Sequence, residues 1–319
     1  MIKIDVLVGI HHLKLSANSN HQLVDDVVLS NDPEVLNSIF KNKSIKEVIG
    51  LNEIKSLHDN ETFLHVKTSF DVGIDEFDEK NYLINMLLMV ELMCMSFWMI
   101  KDNSIKSELS HIICETGNAF KIHSNFWNAP YSNCLGKNED VTFSEDELLL
   151  SFSIFPSIFE ALHAKEDFDR SIKLTSETNR LGRAFYFLQS ARASEDIGTK
   201  MAHYCTVFES LFSISNSELK HRLSETVALF LSVSKDDRVK IYRTLQNAYD
   251  IRSSIVHGDA ISSKYLKNNF TLLKETIKDT DDYIRGCFMK IVNSNDLMKL
   301  FTKEPKEKII EFVQNLIFE

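Results

Sequence analysis

The sequence predicts an α+β protein. A mixed N-terminal region, residues 1–167, has short strands and one long buried helix, and an all-α helical bundle follows over residues 168–319. Three observations predict it. Apolar residues alternate at period two near the N-terminus, a nearly continuous apolar run from Tyr82 to Ile100 has the length of a long helix, and from Ser144 onward the apolar spacing is helical. Charge divides the chain at the same place. Residues 1–167 hold 13 Lys, no Arg and 26 Asp or Glu, net −13; residues 168–319 hold all nine Arg among 23 basic residues against 20 acidic ones, net +3. The second segment is therefore the better suited to meeting phosphate.

Taken in order, Ile2, Ile4, Val6 and Val8 mark a first strand with His11 and His12 at its end. Asp32 and Pro33 signal a helix with proline at its first position. Thr62 to Val72 is β-rich, with apolar Phe63, Val66, Phe70 and Val72. Asp75 to Glu79 then place negative charge at the start of the Tyr82–Ile100 helix, where the helix dipole favours it. That helix reaches the length of a membrane span, but it carries Asn85, Glu91 and Ser96 and its upstream flank is acidic, so a buried core helix is expected. Met86, Met89, Met93, Met95 and Met99 are its adaptable fillers.

Between Ile112 and Phe143, Gly117, Asn118, Pro130 and Gly136 punctuate loops and one or two strands. Ser144 and Glu147 form a capping box, and Pro156 is expected to kink or split the helix they open. Further helices fit 168–191, 194–213, 218–232, 236–257, 262–292 and a last one to 317, with a solvated turn and helix start at Lys303–Lys308.

Several function classes lack support. GxxxxGK[ST], GxGxxG, HExxH and GxSxG are absent, which removes the sequence basis for NTPase, dinucleotide, zincin and hydrolase-elbow readings. Cysteines 94, 114, 134, 205 and 287 form no CxxC pair, so free thiols in a reducing cytoplasm are expected, with no metal and no cofactor. His111, Cys114 and His123 lack metal-ligand spacing, and Glu145, Asp146 and Glu147 fit a helix N-terminus. No basic stretch precedes an apolar run at the start, so secretion is not expected.

One stretch looks chemical: Tyr249 to Gly258, at the end of the 236–257 helix. Its apolar stripe runs through Ile241, Leu245, Ala248 and Tyr249, and the next position on that stripe is Arg252. A charge there needs a partner or a cleft. A second line, Gln246, Asp250, Ser253 and His257, climbs another face; Ser253 can hydrogen-bond His257, and Asp250 fits a supporting role. At roughly 100° per residue, Arg252 and His257 stand about 140° apart, so one straight helix does not bring them together. Either the helix end is distorted or a two-fold interface joins two copies of the motif. Gly258 fits a helix C′ position, which leaves His257 in the last turn, where the dipole favours its protonated form.

The same stretch has companions in order: Phe208-Glu209-Ser210-Leu211-Phe212, then Glu218-Leu219-Lys220-His221-Arg222-Leu223, then Tyr249-Asp250-x-Arg252-Ser253-x-x-x-His257-Gly258. Over about residues 180–292 this resembles the HEPN superfamily, most closely its ApeA-like branch. The resemblance implies an all-α domain that dimerises through the motif-bearing helices and cleaves RNA without a metal, in prokaryotic anti-phage defence or as a toxin. Arg252 and His257 match the catalytic pair and Ser253 the polar residue after the arginine. Glu209, His221 and Arg222 match supporting positions. Glu209 borders the apolar stripe of its own helix, so it can pair with Arg252. Residues 1–167 match no motif and are expected to form a sensor or regulatory region, where a trigger or neutralising partner would bind. The alternatives are a non-catalytic module binding RNA, a nucleotide or a protein partner through the same cleft, and a purely structural dimer.

Overall fold

The computed structural model of the chain describes residues 1–16, 18–24, 26–59, 62–117, 119–126, 130–162, 174–214 and 219–318. It divides into two compact units. The first comprises Met1–Phe97, Asn103–Pro130 and Asn138–Ser153; the second comprises Trp98–Asp102, Tyr131–Lys137 and Ile154–Glu319. The expected boundary at 167/168, Asn118 and the Glu218 of the second motif lie outside the described residues.

In order, the first unit forms β1 (Ile2–His11), β2 (Leu13–Lys14), β3 (Asn20–Val24), β4 (Val27–Ser30), α1 (Pro33–Ile39), α2 (Lys43–Ile49), α3 (Leu51–Asp59) and β5 (Phe63–Phe70). After these come α4 (Glu79–Ile100), β6 (Lys106–Thr116), β7 (Ala119–Phe126) and β8 (Val141–Thr142), then the start of α5 (Glu145–Leu162). Six strands make an antiparallel sheet in the order β3-β4-β5-β1-β6-β7. The alternating strand at the N-terminus is central. Val6 sits opposite Val66 on one side and Ile112 on the other, all buried.

Asp32 caps α1 by accepting from the Glu34 N–H at 3.0 Å, with Pro33 at the first helical position as expected. Helices α2 and α3 and strands β3 and β4 are additions to the expected elements. At seven and nine residues α2 and α3 are too short to hold themselves. They exist because Ile45, Ile49, Ile54 and Leu57 close a core with Leu36 and Phe40 over Leu7, Phe63 and Ile113 of the sheet. Helix α4 is long and apolar enough to cross a membrane, and 61% of its apolar window is buried inside the protein. Leu83, Leu87, Met95 and Phe97 are wholly buried, and Phe97 packs on Phe143 and Phe152 at 5.4 and 6.0 Å between ring centres.

Ser144 and Glu147 cap α5 reciprocally, at 2.9 and 3.2 Å. Of the kink or split expected at Pro156, there is no split, since α5 continues through it to Leu162.

The second unit is helical: α6 (Arg180–Ala193), α7 (Ile197–Phe212), α8 (Leu219–Leu231), α9 (Lys235–His257), α10 (Ser263–Val292), α11 (Asn295–Thr302) and α12 (Lys306–Phe318). The turn and helix start expected at Lys303–Lys308 are present, as the turn at Lys303–Pro305 and the start of α12, and α11 is an addition to the expected elements. The expected 262–292 helix is also interrupted. Lys267 is extended, and Asn268, Asn269 and Phe270 take left-handed φ values of 49°, 55° and 63°. Asparagine tolerates that region; phenylalanine adopts it at a cost of about 1 kcal/mol or more. A buried polar knot ties the bundle. Asp281 accepts from Trp98 Nε1 at 3.2 Å and the Tyr204 hydroxyl at 2.6 Å, and pairs with Arg285 at 2.7 Å. Lys200, fully buried, donates to the Ala191 carbonyl and to Ser132 at 2.8 and 3.1 Å.

Candidate active site

The helix that carries the motif is set by its caps. Asp236 and Asp237 occupy its first turn, and at its far end Gly258 turns left-handed at φ 75°. There the Gly258 N–H donates to the Ile255 carbonyl at 3.2 Å and the Asp259 N–H to the Ser254 carbonyl at 2.8 Å. This is a Schellman ending, and it makes His257 the last helical residue. Helix α9 runs as one element to that point, which removes the distorted-end route to bringing Arg252 and His257 together.

Arg252 faces α7. Its Nη2 lies 3.6 Å from Glu209 Oε1, the partner suggested by the two apolar stripes. The contact is an ion pair by proximity: Arg252 Nε and Glu209 Oε1 are buried without a hydrogen-bond partner among the described residues. Burial pushes the Glu209 carboxyl above the usual carboxylate range, against the pull of Arg252. Beneath the pair lies Tyr249, whose buried hydroxyl donates to the Cys205 carbonyl at 3.4 Å. Burial drives that phenol well above its ordinary value, so it stays protonated. A close approach of α7 to α9 accompanies this arrangement. At Gly198 a Cβ would stand 2.5 Å from Ile255 Cδ1, so only glycine leaves that side chain in place.

The second line of α9 does something different. Asp250 is clasped from two directions, by Lys220 Nζ of α8 at 2.5 Å and by Lys264 Nζ at the start of α10 at 3.3 Å, with the Tyr265 hydroxyl at 3.4 Å. Burial raises the Asp250 carboxyl, the two ammonium groups outweigh it, and the net shift is downward. Gln246 donates to the Lys220 carbonyl and to Ser224, at 3.1 and 3.0 Å. Asp250 thus supports the helix, while Ser253 and His257 farther along are exposed. Among the described residues no hydrogen bond joins Ser253 to His257, which corrects that expectation.

The paired His221 and Arg222 part company. His221 is exposed, with Nδ1 3.2 Å from the Tyr242 hydroxyl. Arg222 lines a groove with Leu223 and Phe212, near α12 residues Val313 and Ile317. Among the described residues neither bonds to Arg252 or His257. Lys220, Lys264, Tyr265 and Gly198 are neighbours of the motif that sequence reasoning passed over.

Among the described residues no group of three or more His, Cys, Asp or Glu is placed to hold a metal ion. His111 bonds Ser124 at 2.7 Å, and burial lowers its ring to about 4. Compared with known protein families, with curated proteins and with solved structures, the chain matches none. The resemblance to the HEPN superfamily rests on the three ordered sequence motifs alone.

Proposed function

We propose that the helical unit is a metal-independent endoribonuclease of HEPN type that works as a homodimer, acting in defence or as a toxin. The observation that carries this reading is the division of labour on α9: a half-buried Arg252 held by Glu209, and an exposed His257 with no partner among the described residues at a capped helix end. A fixed cation suits the phosphate, and a solvent-facing imidazole suits proton transfer. RNA supplies the nucleophile. The 2′-oxygen attacks the adjacent phosphorus and loses its proton, the bond to the 5′-oxygen breaks, and that oxygen takes up a proton. His257 moves protons and Arg252 stabilises the charge that builds on the phosphoryl oxygens. The products are a 2′,3′-cyclic phosphate and a 5′-hydroxyl end.

Asp250, Ser253, Glu209, His221 and Arg222 are supporting residues in this reading. The first unit is the place for a trigger or neutralising partner. The decisive assay is cleavage of single-stranded RNA by the wild type, Arg252→Ala and His257→Ala, with analysis of product ends. Each variant is expected to lose about a hundredfold or more of the rate while keeping its circular dichroism. Unchanged cleavage in both variants rejects the assignment, and retained RNA binding without any cleavage in the wild type favours the non-catalytic module.

A further inference from the structure

A second site is built into the first unit. The sheet face under α1–α3 is apolar at Leu7, Phe63 and Ile113, yet one row away the same face carries charge. Asp5 of β1 sits directly opposite Lys67 of β5 and Ile113 of β6. His65, two positions along on β5 and opposite Leu7, closes on Asp5 with Nε2 2.7 Å from Oδ1. Both side chains are largely buried, 13% and 20% exposed. A buried polar pair beside a hydrophobic core is seldom the most stable choice, since apolar residues of similar volume serve as well or better there. Asp5 also interrupts a strand whose other central residues, Ile4, Val6, Leu7 and Val8, are wholly buried hydrophobics.

The pair opens into a cleft of about 330 Å³ between this face and the turn joining α1 to α2. Its lining includes the apolar Ile39, Ile45 and Ile113 and the charged Lys41, Lys67 and Glu115. Lys41 and Lys67 have no side-chain partner among the described residues, in a segment where acids outnumber lysines two to one. With Nε2 of His65 engaged by Asp5, Nδ1 has no hydrogen-bond partner among the described residues. Two unpaired ammonium groups beside a histidine make a recognition set for a doubly charged oxyanion, and Glu115 in the same lining suits a donor elsewhere on the ligand.

We propose that this cleft binds a small phosphate monoester, its phosphate between Lys41 and Lys67 beside the Asp5–His65 pair. The site is independent of the α9 motif and of any nuclease activity. The test is calorimetric titration of the full chain with inorganic phosphate and with adenosine 5′-monophosphate, on wild type, Lys41→Gln, Lys67→Gln and, as a control for anion binding at the motif, Arg252→Ala. Saturable binding that weakens about tenfold in each lysine variant and persists in Arg252→Ala is expected. Tighter binding of the nucleotide than of phosphate assigns part of the cleft to the nucleoside, and equal binding confines recognition to the phosphate. The proposal is overturned if neither probe saturates the wild type, if the lysine variants bind as tightly as wild type, or if Arg252→Ala abolishes binding.

Discussion

Arg252 and Lys200 are both cations on the apolar faces of helices, and their surroundings settle how each is held. Arg252 stays half-exposed with Glu209 at 3.6 Å, whereas Lys200 is wholly buried among uncharged acceptors. Burial lowers the Lys200 ammonium from its ordinary 10.5 to about 8, with the nearby Arg192 adding to the effect. Between those values the unfolded chain holds a proton that the folded one lacks, so stability rises with pH in that window; below about 8 the full penalty applies. Denaturant titrations are expected to show unfolding free energy climbing from about pH 8 toward 10, by up to the order of 3 kcal/mol, and Lys200→Met to flatten the climb. An equal slope in that variant assigns the effect to other groups. The position of Arg252 was readable from helical spacing alone. The lysines that clasp Asp250 were not, because Lys220 lies 30 residues away and only the packing of α8 on α9 brings it near.

At the scale of elements, α9 was legible because every signal on it agrees: acidic first turn, periodic stripe, basic last turn, glycine beyond. Gly258 has nothing within 4 Å of a built Cβ, so its role is purely conformational. Gly258→Ala should lower stability by about 1 kcal/mol through the left-handed backbone, read as a fall in melting temperature, without a steric clash. No change in melting temperature would mean that the Schellman ending contributes nothing. Other elements escaped because local signals conflict with the fold. Pro156 reads as a breaker yet lies inside a helix whose neighbours Ile154 and Ile158 are buried. The left-handed residues of α10 have no glycine to announce them. Strand β3, Asn20–Val24, is too polar for alternation to show.

At the scale of the whole molecule, the proposed chemistry needs two copies of the chain, since a regular α9 directs Arg252 toward α7 and leaves His257 at the exposed helix end. Val256, next to the cap, is 54% exposed, an apolar side chain on the helix the interface would use. Sedimentation equilibrium is expected to show a dimer at micromolar concentration, and Val256→Asp to shift it toward monomer with loss of cleavage. A wild type that stays monomeric at every concentration removes the composite site. The amino-acid pattern alone carried the α+β class, the first strand, the long core helix and the helix that ends at His257, because each is written in neighbours a few residues apart. The pairing of Arg252 with Glu209, the clasp on Asp250 and the Asp5–His65 cleft had to wait for the folded chain. They join residues at least 14 positions apart in sequence, and such contacts follow from how faces pack, which no local period encodes.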